Sequence, residues 1–426
     1  MTTALWIKPG RSTIICCFAA RKPQSVENLM TRRNTNHRLT LIVALLAMLG
    51  PFTIDAYLPS FPDIEASFGI SRALLSQSLA VYLFAFALST LFWGPLADRI
   101  GRRPVILTSL LLYALVSAGC ALADSLNSFL LFRILQGFAA SGGFIAGRAM
   151  IRDAHDADSA HRAMSQVTLL FALAPAIAPV LGGWLHDHFG WRSVFWTLAG
   201  FGILLIVFMM CIKETLANAH RQSFHPLSVI RVYIQTLVHK QFLRMILSLS
   251  FAFAGVFLYI AGAPTVIYDF LGLNSDDFGL QFIPLVSGMM LGAFASNRLI
   301  NYWSGARIVM VGFGIMAVAV IFNLLQVALL EPGILNIIAP LVIYTFGIAM
   351  VMPAITIRAL DCFPHNRGAA ASMQGFFQML INAGVASIAV PLLHTRIQHF
   401  VLGQLVFLLT GFILWYFARP TTHAIS

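Results

Sequence analysis

The chain has 426 residues, of which 59% are apolar and only 10% charged, and its formal net charge is +11. Soluble domains have roughly 45–50% apolar and about 25% charged residues, so this composition excludes an ordinary water-soluble fold. The excess of positive charge does not indicate nucleic-acid binding, because no basic patch is interleaved with aromatic residues. The composition is that of a protein with many membrane-spanning helices.

Charge-poor runs of about 20 residues recur along the chain, and each can cross a bilayer as a helix at ~1.5 Å per residue. Strands of a membrane barrel would alternate in polarity and span only about 10 residues. The predicted fold is therefore all-α, with twelve transmembrane helices. The predicted spans are residues 40–61, 73–95, 104–123, 126–147, 163–184, 193–212, 245–268, 278–297, 308–330, 334–357, 368–393 and 400–418.

The distribution of basic residues predicts the orientation of these helices. With a cytoplasmic N-terminus, the outer loops carry only Arg72, Arg192 and Arg396 as basic residues, against eight acidic ones. Because Lys and Arg favour cytoplasmic loops, both termini are predicted to be cytoplasmic, as segments 1–39 and 419–426. Residues 1–29 contain no span, and translation from Met30 is an open alternative because it gives a compact basic lead into the first helix.

The longest internal loop, residues 213–244, divides the chain into halves of six spans each, at 40–212 and 245–418. The four residues that begin at Ala163 read AMSQ, and those that begin at Ala371 read ASMQ. This short similarity is consistent with a duplication of one six-helix half. Two related halves of this kind form a central site at their interface in secondary transporters.

Asp55 and Arg133 are the only ionisable side chains, apart from Tyr and Cys, inside the predicted spans. A charge at the bilayer centre costs about 2.5–3.5 kcal/mol on insertion scales, so each requires a reason. Both lie about 10 Å from the outer ends of their helices at ~1.5 Å per residue, and we expect them to meet in a shared cavity. The two open interpretations are a proton-coupling pair and a fixed buried pair that sets helix register.

Uncharged polar side chains extend the predicted site. Three amides on the eleventh span follow one another at i, i+4 and i+8, and such groups should face protein or water in a lipid bilayer. Interhelical hydrogen bonding is the alternative role for each of them. The predicted substrate cavity is lined by Tyr57, Tyr82, Gln136, Gly137, Gln374, Gln378 and Asn382.

The turn at residues 94–104, GPLADRIGRRP, follows the second span. Asp98 stands near a helix C-terminus, where the helix dipole disfavours an anion, so it should pair with Arg102, Arg103 or another helix N-terminus. The turn resembles the GxLaDrxGrk signature of the major facilitator superfamily, with Arg103 in place of Lys. The residues of the predicted conformational latch are Gly94, Asp98, Arg99, Gly101, Arg102 and Arg103.

Further strings narrow the resemblance. LLFRILQGFAA at 130–140 is similar to the family's fourth-helix motif, which contains an intramembrane Arg. APAIAPVLGG at 174–183 resembles the helix-five antiporter motif through Pro179, Gly182 and Gly183, with Ala174 and Ala178 in place of glycines. Together with IDAYLPSFP at 54–62 and KETL at 213–216, these strings resemble the bicyclomycin/chloramphenicol-resistance (Bcr/CflA) subfamily.

The resemblance implies a multidrug exporter in a bacterial inner membrane, a drug:proton antiporter that works by alternating access as a monomer, without a cofactor. It assigns proton coupling to Asp55 and Arg133. An uptake symporter of the same fold and an exporter of a small metabolite remain alternatives. A signalling protein of transporter ancestry is a third, and it predicts that Asp55→Asn leaves activity intact. The sequence lacks the GxxxxGK[ST] loop of an ATP-driven pump, and its spans offer no nucleophile with a base and no metal cluster, so an enzyme is not expected.

Overall fold

The computed structural model describes residues 26–155, 157–216, 226–331, 333–364 and 366–418. The tail at 419–426 and most of segment 1–29 lie outside these residues, as does part of the predicted linker at 213–244. The question of a start at Met30 therefore stays a prediction.

Within the described ranges the chain folds into helices, of which twelve are long and apolar enough to cross a bilayer. The predicted all-α fold with twelve spans is confirmed. Several helices run past the predicted spans, as α5 does by continuing to Ala154. The helices are α1 (Val26–Asp55), α2 (Phe61–Phe68), α3 (Arg72–Ile100), α4 (Arg102–Ala121), α5 (Leu126–Ala154), α6 (Ala157–Phe189), α7 (Trp191–Met210), α8 (Pro226–Val238), α9 (Lys240–Ala261), α10 (Phe278–Leu299), α11 (Gly305–Leu329), α12 (Ile334–Asp361), α13 (Arg367–Gly384), α14 (Val390–Leu393) and α15 (Ile397–Ala418).

Two spans are interrupted near one end. The first consists of α1, a 3₁₀ turn at Leu58–Ser60 and α2, and the eleventh consists of α13, a π-helical turn at Val385–Ala389 and α14. Pro59 lies in the first interruption, and Pro391 is the second residue after the other interruption. Proline lacks the N–H that the α-helical ladder needs, which favours a break at such positions.

The strongest helix packing occurs among α1 and α3–α7 and, separately, among α9–α12 and α15, whereas α13 packs most extensively against α3. Glycines permit close approach in both groups. A Cβ atom at Gly137 of α5 would overlap the Tyr82 backbone of α3, and one at Gly292 of α10 would overlap the Phe346 backbone of α12. Small residues of this kind are typical of helix interfaces in membranes, where backbone contact replaces the hydrophobic effect. The boundaries of the two halves stay a prediction.

The two groups of helices meet at one end of the bundle. We call this end, where α3 begins and α6 finishes, the Arg72 end, and the opposite end of α3 the Asp98 end. At the Arg72 end α6 packs against α10 and α3 against α13 with its π-helical turn. Ser275 Oγ donates to Asp187 Oδ1 at 2.6 Å, and Gln77 Nε2 donates to the Ser387 carbonyl at 3.0 Å.

Candidate functional site

Arg133 is completely buried in α5, inside the first half. Its guanidinium carbon lies 4.4 Å from the ring centroid of Tyr57 and 4.6 Å from that of Tyr82. A cation over an aromatic face is attracted to the ring quadrupole, and the attraction is stronger where water is excluded. Tyr57 and Tyr82 therefore provide part of the compensation that this buried cation requires.

Oxygen acceptors provide further compensation. Arg133 Nη1 donates to Gln136 Oε1 at 2.7 Å and to the Thr53 carbonyl at 3.4 Å, and Nε donates to the Ser78 carbonyl at 3.4 Å. Gln136 Nε2 in turn donates to Ser117 Oγ at 2.8 Å. Among the described residues, Arg133 Nη2 is buried without a partner. One donor of the cation is therefore unused in this conformation.

Asp55 is the last residue of α1 and is 3% exposed. In the described part of the chain its Oδ1 atom has no hydrogen-bond partner, and no ion pair joins it to Arg133. The expected meeting of the two charges is therefore absent from this conformation. The physical reason is that two tyrosine rings and three oxygen acceptors already contact the guanidinium and leave only its Nη2 atom open.

Four residues of the predicted substrate cavity lie in the interior of the first half rather than on an open surface. Tyr57, Tyr82 and Gln136 are completely buried, and Tyr57 hydrogen-bonds Ser78 Oγ at 3.1 Å. Gly137 is buried against the Tyr82 backbone. The sequence interpretation placed them in a cavity because they are polar or small; in this conformation they pack around Arg133 and against each other instead.

The remaining predicted cavity residues lie on α13. Gln374 and Gln378 are half-buried, and Asn382 is buried. Gln374 Nε2 donates to Thr356 Oγ1 of α12 at 2.9 Å, and Gln378 Nε2 approaches Asn382 Oδ1 at 3.5 Å. The described contacts of this stripe do not include Arg133 or Asp55, so the structure does not bring the two predicted groups together.

Sequence reasoning missed several members of the Arg133 network. Thr53 Oγ1 and the Tyr113 hydroxyl lie 2.6 Å apart, and Ser117 accepts from Gln136. Hydroxyl residues are frequent in membrane helices, where they also bond their own backbone, so no pattern in the sequence distinguishes these.

In the turn at the Asp98 end, Asp98 and Arg102 form charged contacts within the first half. Asp98 pairs with Arg102, one of its predicted partners, and Arg102 Nε also contacts Asp153 Oδ2 of α5 at 3.1 Å. Gly101 adopts a φ of +109°, a conformation that side chains disfavour. Gly94 and Arg99 lie in the last turns of α3, and a Cβ at Gly94 would make only ordinary contact with Ile145.

Glu214, which follows α7, was recognised in the sequence only as part of KETL. Its carboxylate accepts from the backbone N–H groups of Arg102 at 3.1 Å and Arg103 at 2.9 Å. The N-terminus of a helix carries partial positive charge and unpaired N–H donors, so Glu214 caps α4. Arg103 Nη2 reaches back to the Met210 carbonyl at 2.9 Å.

The helix-five motif lies in the part of α6 that contacts both the first half and the second half. A Cβ atom at Gly182 would overlap the Ala56 backbone of the first half, and one at Gly183 would lie 2.6 Å from the Ser275 carbonyl of the second half. Pro179 is buried within α6, one turn away. The two glycines allow α6 to fit between α1 and the segment before α10.

Charged residues join the halves beside this motif. Arg72 contacts Glu65 at 2.8 Å in its own half and Asp269 at 2.5 Å in the other. Tyr268 donates to the Pro59 carbonyl at 2.5 Å. Burial, and after it the Asp187 carboxylate, raises the pKa of Tyr268, which keeps this hydroxyl protonated as a donor. In the sequence, the charged residues here had indicated only the topology.

Twelve helices able to span a membrane, with the Arg133 guanidinium and the Asp55 carboxyl buried among them, are typical of a polytopic membrane transporter. The model of the Major Facilitator Superfamily matches residues 42–389. Because that match covers most of the chain, the protein belongs to this family, as the sequence resemblance predicted. It is therefore a multi-pass membrane transporter and not an enzyme.

Bacterial relatives match most of the chain. A protein of Bacillus subtilis (strain 168) described as the uncharacterized MFS-type transporter YdgK is 29% identical, over 87% of this chain and 94% of its own. A bicyclomycin resistance protein homolog of Haemophilus influenzae is 26% identical, over 84% and 90%. The multidrug resistance protein MdtL of Shewanella sp. (strain ANA-3) is 29% identical, over 79% and 85%. These matches support an inner-membrane location.

A solved structure shows the same fold. The inward open conformation of the xylose transporter XylE from E. coli superposes with a TM-score of 0.71 at 16% identity, over 91% of this chain and 97% of that one. At this identity the likeness establishes the fold alone.

Proposed function

We propose that this protein is a proton-coupled exporter of drugs and similar small molecules. The observation that carries the proposal is the buried Asp55 carboxyl, whose Oδ1 atom has no partner in the described structure, in the same half as an Arg133 guanidinium with one unused donor. The relatives named for bicyclomycin and multidrug resistance support drugs as the cargo. Both termini are cytoplasmic in the proposal, so the Arg72 end faces the periplasm.

Asp55 is the proton carrier in this account. A buried carboxylate without a partner is costly, whereas the neutral carboxyl needs far less compensation, so Asp55 holds a proton in the present conformation. A change of conformation that brings Asp55 to Arg133 Nη2, or to water, stabilises the ionised form and releases the proton. Cargo that binds preferentially to one of these states then exchanges with the proton.

The contacts between the halves support alternating access. Four hydrogen bonds between the two six-helix halves, from Arg72, Gln77, Tyr268 and Ser275, lie at the Arg72 end. At the Asp98 end, Arg102 contacts Asp98 and Asp153 of its own half. The present conformation is closed at the proposed periplasmic face, and opening it requires these contacts to separate. The Asp98 turn then serves as the latch of the opposite state.

The test is drug-driven proton movement in inverted vesicles. Chloramphenicol added to energised vesicles that contain the wild-type protein should release protons from the lumen. Asp55→Asn should abolish this release, while Asp124→Asn, which removes an exposed carboxylate at the same end of the bundle, should preserve it. An unchanged response of Asp55→Asn contradicts the coupling role, and co-movement of drug and protons in one direction identifies a symporter instead.

A further inference from the structure

A second arginine of α5 is not explained by proton coupling. Arg148 lies six residues before the end of the helix at Ala154, about 9 Å from the Asp98 end at ~1.5 Å per residue. Its guanidinium carbon lies 4.2 Å from the ring centroid of Phe144, one turn towards the membrane interior. Because helical side chains lean towards the helix N-terminus, the cation lies deeper in the span than its own Cα atom.

Arg148 differs from Arg133 in its partners. In the described structure Arg148 has no hydrogen bond and no ion pair, and its Nε atom is buried without a partner. The neighbouring charges do not compensate it. Arg152, one turn further along α5, carries the same charge, and Asp153 contacts Arg102. A buried N–H donor without an acceptor is costly, so the Nε atom of Arg148 requires a partner that the described residues do not supply.

Two structural explanations do not account for this side chain. An arginine that only anchored the helix in lipid headgroups would extend towards the helix end, whereas Arg148 extends back over Phe144. Attraction to one ring contributes about 0.5–2 kcal/mol and leaves the buried Nε–H of the guanidinium without an acceptor. That donor needs an acceptor from outside the described residues.

Aromatic rings lie directly beside the cation. The Phe144 ring centroid lies 6.2 Å from that of Phe86 on α3 and 6.1 Å from that of Phe171 on α6. We call these three rings the Phe144 platform. Phe144 and Phe171 are only half-buried, so part of the platform is accessible. Gly147 packs against Val43 of α1, so the side chain of the next residue, Arg148, leaves α5 on a different face.

We propose that Arg148 and the Phe144 platform form a subsite for the carboxylate group of an aromatic substrate. The proposal deepens the export function described above and rests on it. A guanidinium binds a carboxylate through two parallel N–H···O bonds, one of which would use the unpartnered Nε–H of Arg148, and the carboxylate neutralises the cation. The flat ring of the same substrate stacks, offset, on the half-buried phenylalanines. Aromatic carboxylates then belong to the cargo alongside uncharged drugs.

The experiment compares two probes that differ in one charge, nalidixate and its ethyl ester, in purified full-length protein. Binding is measured by scintillation proximity with each radiolabelled probe, and export is measured separately in proteoliposomes. Arg148→Gln removes the charge, and Arg148→Lys keeps the charge but cannot donate two parallel N–H bonds. Arg152→Gln is the control, because it removes an exposed charge one turn away. Loss of a charged hydrogen-bonded pair should raise the Kd for nalidixate about 10- to 100-fold in Arg148→Gln.

The proposal expects no change of Kd for the ester in Arg148→Gln, an intermediate Kd for nalidixate in Arg148→Lys, and wild-type affinity for both probes in Arg152→Gln. Equal loss of both probes in Arg148→Gln overturns it, because the residue then supports structure only. Equal wild-type affinity for nalidixate and ester also overturns it. Charge-dependent binding without export of either probe supports the subsite and contradicts the proposed export function instead.

Discussion

A single methyl group added at Gly183 of the helix-five motif should weaken the contact between the two halves. In Gly183→Ala the new Cβ atom would lie 2.6 Å from the Ser275 carbonyl, and ordinary contact begins at 3.4 Å, so the halves must separate locally by up to 0.8 Å. Overpacking of this kind costs about 1–3 kcal/mol. Ser275 belongs to the opposite half, so only the conformation closed at the Arg72 end is penalised.

This penalty should shift the population towards the conformation open at the Arg72 end by about 5- to 150-fold. The assay is a distance distribution between spin labels at Leu122→Cys and Leu329→Cys, two exposed sites at the Arg72 end of α4 and α11, in a background without the native cysteines. The long-distance fraction should increase in Gly183→Ala. Gly200→Ala is the control, because a Cβ there meets open space.

Gly182→Ala should behave differently from its neighbour. Its Cβ atom would overlap the Ala56 backbone, which belongs to the same half as α6 in either conformation. The variant should therefore lower the thermal unfolding temperature without increasing the long-distance fraction. If Gly183→Ala leaves the distance distribution unchanged, or if Gly182→Ala shifts it equally, the assignment of the Gly183 contact to the gate between the halves is refuted.

Three further changes test the contacts around the site. Arg72→Gln removes the charged contacts with Glu65 and Asp269 and should increase the same long-distance fraction, by less at high salt because ions screen the pair; a salt-independent shift would contradict this. Glu214→Ala removes the cap of α4 and should destabilise the protein by about 0.5–2 kcal/mol, read as a lower unfolding temperature, whereas an unchanged temperature would exclude the capping role. Arg133→Lys retains the charge but loses the planar guanidinium with its several N–H donors, so chloramphenicol export should fall while the protein still folds. Full export by this variant would show that the charge alone suffices.

Sequence reasoning located the spans well because a bilayer imposes a local requirement, a run of about 20 apolar residues. It also identified Arg133 as a buried charge for the same reason. The partners of Arg133 could not be predicted, since the rings of Tyr57 and Tyr82 reach it through the packing of three helices. The expected contact between Asp55 and Arg133 was wrong for this conformation, because a similar depth in the membrane does not place two side chains on facing surfaces.

Other features of the site depend on contacts between segments that are far apart in the sequence. Glu214 caps α4 although 111 residues separate it from Arg103. Arg148 was outside the predicted fourth span, because α5 continues further than its apolar run. The unequal roles of Gly182 and Gly183 also needed the structure, since the motif itself does not say which helix each glycine contacts.

The central claim is that Asp55 carries the exchanged proton. Its most direct test is proton release when chloramphenicol binds to the purified protein in lightly buffered detergent solution, with a pH indicator as the readout. The account predicts that the wild type releases protons on binding and that Asp55→Asn binds the drug without releasing any. Proton release by Asp55→Asn equal to that of the wild type would contradict the account.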